Sequence, residues 1–188
     1  MTVRDVIDFW FGDDPNAWQD NRWFRGQDTL DVLMQTRFSG IVDLALAGLL
    51  DSWATNAEGA LALVIVLDQF PRNIRRGTPR AFAGDVRARK LAGAAIAAFQ
   101  DRELTPVQRV FLYLPFEHSE DMEDQDRSAR LFSPLAQYPH LKECVVYAYQ
   151  HRSVIAQFGR FPHRNAILGR ESTPAELSYL ATANSGSF

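Results

Sequence analysis

The sequence carries one cysteine, Cys144, in 188 residues. An internal disulfide is therefore excluded, and the usage fits a reducing compartment. It also lacks a long apolar run. The longest, 60–67, is far shorter than the roughly 20 residues a membrane-crossing helix needs. Strand signals are nearly missing: there is no sustained alternation of apolar and polar residues, and no Asn-Gly or Asp-Gly pair to close a hairpin. An excess of basic residues is missing too. The net charge of −3 argues against general nucleic-acid binding, which draws on Lys and Arg in excess. No His-Glu-x-x-His or paired Cys/His spacing suggests a metal, and no glycine-rich fingerprint suggests a phosphate loop or a dinucleotide, so no cofactor is expected. The start, Met-Thr-Val-Arg-Asp-Val-Ile-Asp, shows no signal peptide, and the expected compartment is the cytoplasm.

What is present is helical pattern. Thr2 with Asp5 opens a short amphipathic helix to Trp10, followed by an aromatic, turn-rich connection with Trp18, Trp23 and Phe24. A second helical stretch covers about 28–50, with Ser39-Gly40 as a candidate break. Thr55 and Glu58 read as a capping box for a helix through Leu67 that is apolar all round and hence central, with Pro71 as its stop. Asp85 leads an Ala-rich helix to about Phe99, and Thr105 with Gln108 caps one that meets Pro115. Ser119 is the expected N-cap of the next, ahead of a turn bracketed by Pro134 and Pro139. The last long helix covers about 140–158, ended by Gly159, and Thr173-Pro174-Ala175-Glu176 starts a final short one. The expectation is an all-α fold of antiparallel pairs in a single domain, 1–188, with 46% apolar residues to build its core.

Polar side chains stand where apolar ones belong. Cys144, Ala148, Ile155 and Phe158 mark a buried stripe with His151 at its missing position. Val107, Phe111 and Leu114 lead to His118, and the same spacing carried onward places Gln125 inward. Asp68 is in register with Ala57, Leu61 and Val64, at a helix C-terminus where the dipole disfavours a negative charge. It should therefore have a cationic partner from an Arg-rich loop. Two such loops exist. The first begins Gln69-Phe-Pro-Arg-Asn73, and the second is Arg160-Phe-Pro-His-Arg-Asn165 and onward to Arg170. Each runs from a Phe-Pro to a Thr-Pro, which a pseudo-repeat and convergent turn chemistry explain equally well. If both line one cleft, it attracts a carboxylate or phosphate. The bland alternative pairs the loops with the six acids of 117–126, above all through Arg75, Arg76 and Arg80. The aromatic cluster near the N-terminus reads as core.

Four motifs together, Phe9-Trp-Phe-Gly12, Leu67-Asp-Gln-Phe-Pro-Arg-Asn73, Tyr113-Leu-Pro-Phe-Glu-His-Ser-Glu-Asp121 and Gly159-Arg-Phe-Pro-His-Arg-Asn165, resemble the bacterial domain-of-unknown-function family 924 over nearly the whole chain. The resemblance implies a tetratricopeptide-like right-handed array of helix pairs and no particular activity. Positions matching its motifs include Asp68, Gln69, Arg72, Asn73, His118, Glu120, His163, Arg164 and Asn165.

Three functions follow. The first is a binding module that holds an anionic small molecule or a peptide carboxylate. Its expected ligand-binding residues are Asp68, Arg72, Asn73, Gln125, His151, Arg160, Arg164 and Asn165, and it needs the fewest assumptions. The second is a cofactor-independent hydrolase or transferase with His118, Glu120 or His163 as catalytic groups and Arg164 stabilising an anion. The third is a scaffold whose polar residues are saturated by the protein itself. Neither nucleic acid nor membrane is an expected partner, and a monomer fits. A His and a carboxylate within hydrogen-bond reach beside open space would favour chemistry over binding.

Overall fold

The computed structural model describes residues 1–19, 23 and 28–182, the side chains of 28 and 29 excepted. Among the described residues there is no strand, and α-helices and short 3₁₀ turns form the fold. The α-helices are α1 (Val3–Phe11), α2 (Asp28–Leu46), α3 (Ala57–Asp68), α4 (Phe70–Ile74), α5 (Asp85–Ala97), α6 (Pro106–Glu117), α7 (Met122–Phe132), α8 (Lys142–Phe158) and α9 (Pro174–Leu180). No helix among the described residues is long and apolar enough to cross a membrane.

Three capping boxes form as the sequence predicts, at Thr2/Asp5, Thr105/Gln108 and Thr173/Glu176, each satisfying backbone donors that the first helical turn leaves open. Gly159, at φ 68°, ends α8 in the left-handed conformation expected of it. Other boundaries differ. The cap of α3 is Asn56, whose side chain accepts from Gly59 N, while Thr55 closes a preceding 3₁₀ turn. Pro71 does not stop α3, which ends at Asp68. It sits in the first turn of α4, where its missing N–H costs nothing. Pro115 lies inside α6, and the N-cap of α7 is Asp121 rather than Ser119. Helix α2 runs unbroken through Ser39 and Gly40, then stops at Leu46.

The centre is α3. Apart from Glu58 its residues are buried, and Leu61 to Leu67 are fully so. Its neighbours are α1, α2, α5 and α6. Each of its Leu, Ile and Val side chains contributes roughly 1.5–3 kcal/mol by leaving water, set against the entropy of ordering the chain. The aromatic cluster packs as core. Trp10, Phe11 and Trp23 surround Phe111 of α6 edge-on, with ring centroids 5.5, 5.4 and 4.8 Å away. Phe24 lies outside the described residues. A second, smaller apolar cluster of Val154, Ile155 and Phe161 joins α8 to the loop behind it. The polar site lies where the C-terminus of α3, the N-terminus of α5 and the end of α6 meet that loop.

Candidate functional site

The site depends on a close approach of two backbones. A Cβ on Gly84 would lie 2.1 Å from the carbonyl oxygen of Leu67, so only glycine lets α5 start against the end of α3. That contact carries Asp85, the first residue of α5, to the Arg72 guanidinium. Arg72 Nη1 and Nη2 donate to the two Asp85 oxygens at 2.8 and 3.0 Å. Arg72 Nη1 is also 3.3 Å from Asp68 Oδ1 and donates to the Asp68 carbonyl. Asp68, fully buried, receives a further bond from Gln69 Nε2 and lies 2.8 Å from His118 Nδ1. Burial alone would push this carboxyl up, but Arg72 and His118 outweigh it and hold Asp68 down at about 2. An ionised carboxylate can only accept, so His118 Nδ1 carries the hydrogen and Nε2 the lone pair. Burial, then the charge of Arg72, keeps the His118 ring below its ordinary value and hence neutral at pH 7. Among the described residues Nε2 has no protein partner, and the side chain keeps 15% of its surface open.

Arg164 comes from the second Phe-Pro loop. Its guanidinium lies between the rings of Phe82 and Phe161, 4.7 and 4.6 Å from their centroids. Nη1 donates to the His118 carbonyl at 3.0 Å and is 3.7 Å from Asp85 Oδ2. Nε is buried without a bond, and Nη2 has no bond to the described protein. Burial, then Arg72, brings Arg164 down to about 10, so it remains charged at neutral pH. Arg72 also lies over the Phe82 ring, at 5.7 Å. The two echoing loops therefore converge on Asp85 and Phe82. They are not copies in conformation, since 70–74 is α-helical and 162–164 a 3₁₀ turn.

A family of bacterial proteins of unknown function, DUF924, has a sequence model that matches residues 6–184. The chain belongs to the DUF924 family. A solved structure of a protein of unknown function from Agrobacterium tumefaciens is similar over 95% of this chain and 96% of that one, with 40% identity and a TM-score of 0.86. No curated protein matches at a significant level.

Within this DUF924 chain, the structure brings Asp68, Arg72, His118 and Arg164 together and sends other expected residues elsewhere. Asn73 Nδ2 donates to Asp31 of α2 at 2.9 Å. Arg160 forms a two-pronged pair with Glu176, at 2.6 and 2.8 Å, which docks α9. Gln125 Nε2 donates to the carbonyls of Glu117 and Ser119, both at 2.7 Å, and so ties the turn between α6 and α7. Asn165 Nδ2 donates to Ser172 Oγ at 3.0 Å. Glu120 is held by Arg170 at 2.7 and 2.9 Å and by the Phe161 N–H at 2.8 Å, and these donors overcome its partial burial and keep it below the usual range. His163 is brought down to about 4 by burial and Arg164. His151 Nδ1 is 2.9 Å from the Tyr147 carbonyl and 3.2 Å from Glu117 Oε1, and burial brings it down to about 3.

Arg75 and Arg80 pair with Asp43, and Arg76 with Asp31, both on α2 rather than in the acidic segment 117–126. Three acids of that segment, Asp124, Asp126 and Glu120, instead meet Arg89, Arg152 and Arg170. Sequence reasoning passed over Asp85, Phe82 and Glu117. The first looks like an ordinary first-turn acid, the second like a loop aromatic, and the third like one charge in a solvated run.

Proposed function

We propose that the Asp68–His118 pair is the acid–base centre of a cofactor-independent hydrolase or transferase that acts on a small molecule with a carboxylate or phosphate group. The observation that carries this reading is the 2.8 Å contact between a fully buried, ionised Asp68 and His118 Nδ1, with Nε2 left open. Asp68 fixes the tautomer and stabilises the imidazolium. Nε2 takes a proton from an attacking water or hydroxyl and returns it to the leaving group, so the proton count closes over one cycle. Ser119 does not serve as a nucleophile in this scheme. Its Oγ accepts from Asp121 N and donates to Asp124 Oδ2 in the turn ahead of α7.

The anionic ligand expected from the sequence rests on Arg164 Nη2 alone, because Arg72, Arg160 and Arg170 are committed to carboxylates. That is why acid–base turnover is preferred here to simple binding. The tetratricopeptide-like array implied by the resemblance belongs to the same proposal. It draws support from α6, α7 and α8 packing in succession, although α3 is enclosed by four helices.

The test is a panel of chromogenic esters, amides and phosphate esters bearing anionic groups, assayed with wild type, His118→Gln and Arg164→Lys. Loss of general acid–base help predicts a drop of about 10²–10⁴ in kcat for His118→Gln, with Arg164→Lys raising KM. An activity that survives His118→Gln refutes the assignment. A scaffold is the second reading, favoured by the bonds that Gln125 Nε2, Arg160 and Arg170 make within the protein. It predicts that acetate and sulfate leave the His118 ring signals unchanged.

A further inference from the structure

A charge count around the site leaves one carboxyl over. Arg72 and Arg164 balance Asp68 and Asp85 one for one. Glu120 is balanced by Arg170, and Asp124 by Arg89. His118, His151 and His163 are all shifted toward their neutral forms. Among the described residues, Glu117, the last residue of α6, has no cation. It is 4% exposed, its Oε1 lies 3.2 Å from His151 Nδ1, and its Oε2 is buried with no hydrogen-bond partner.

We propose that Glu117 gates the anion seat by charge: it holds one buried proton that leaves the cluster neutral, and release of that proton makes the cluster negative and expels an anionic ligand. This rests on the acid–base site proposed above and concerns its regulation. Burial, then the nearby charge of Asp68, pushes the Glu117 carboxyl up to about 8, while burial brings His151 down to about 3. At neutral pH Glu117 therefore keeps its proton and the pair has no net charge, while His151 Nδ1 keeps its own hydrogen because the Tyr147 carbonyl 2.9 Å away can only accept. Above pH 8 a new unit charge appears in an interior where solvent screens poorly.

The experiment measures binding of sulfate and of acetate, whose charges stay constant over the range, to wild type and Glu117→Gln between pH 6.5 and 9. The ring signals of selectively labelled histidine report occupancy in the full chain. Wild-type affinity should fall at least about tenfold across this range, the order expected of an unscreened unit charge, and the Gln variant's should stay nearly level. In wild type without ligand, the His118 and His151 signals should show an inflection near pH 8. If Glu117→Gln does not fold, Glu117→Leu and the wild-type inflection decide. Binding whose pH dependence is the same in wild type and variant overturns the gate and spares the site. Failure of both anions to bind at any pH overturns both.

Discussion

Replacing Glu117 by Gln should stabilise the protein at alkaline pH and leave it nearly unchanged at pH 5. Glu117 has its folded-state pKa raised from 4.5 to about 8, with burial as the leading cause. A carboxyl raised in this way favours the folded state fully below its unfolded value. That contribution is lost as pH rises toward the folded value, because the folded state then retains a proton the unfolded chain has released. The loss runs at about 1.4 kcal/mol per pH unit, so the window from 4.5 to 8 amounts to about 5 kcal/mol. That is a large share of a typical folding free energy of about 5–15 kcal/mol. His151 acts in the opposite sense. Lowered to about 3, it favours folding above its unfolded value near 6.5, and that contribution is lost as pH falls. Because His151 is present in both proteins, the difference between them isolates Glu117. Urea unfolding followed by tryptophan fluorescence at pH 5, 6.5, 8 and 9 measures that difference directly. Two curves of stability against pH that run parallel would refute the reasoning, since a Glu that titrates alike in both states has no desolvation to relieve.

Asp68→Asn should cost about 3 kcal/mol at pH 7, because it leaves the Arg72 charge half-matched and sets an amide N–H₂ among donors. Asp68 is depressed to about 2, so this difference should persist above pH 4 and vanish as pH falls through 2, as acid unfolding of the pair would show. Gly84→Ala should lower stability by about 1–3 kcal/mol in a thermal melt, since its Cβ would lie 2.1 Å from the Leu67 carbonyl and force α3 and α5 apart. An unchanged midpoint would mean that the two helix ends are not in contact in solution.

Much of the fold was legible from local chemistry. A Thr with Asp, Gln or Glu three residues on satisfies the first turn of a helix by itself, so Thr2, Thr105 and Thr173 were readable without knowing the rest of the chain. Thr55 misled because Asn56 beside it is an equally good cap, and the choice was made by the 3₁₀ turn that Thr55 closes. Helical spacing also found the inward faces, and Asp68, His118, Gln125 and His151 are all largely buried. What spacing cannot give is the partner across the interface. His118 meets Asp68 from fifty positions away, and Arg164 meets Asp85 only because Gly84 allows a backbone contact that no periodicity encodes. The same limit explains the arginines of 75–80. Charge alone sent them to the densest acidic run, whereas α4 packs on α2 and delivers them to Asp31 and Asp43.

The all-round apolar character of α3 has a consequence for the chain as it is made. A helix with no polar face has no surface to show water at any stage before its neighbours arrive. Two of those neighbours, α5 and α6, lie later in the sequence, as does His118, which shares the Asp68 charge. During synthesis, residues 57–68 therefore emerge sticky and with a carboxylate at their end that still lacks His118, and they stay so until about residue 118 has left the ribosome. A nascent segment of this kind is a ready client for a holding chaperone. It also means the first hundred residues are not a domain that could be exchanged, tagged internally or expressed by themselves.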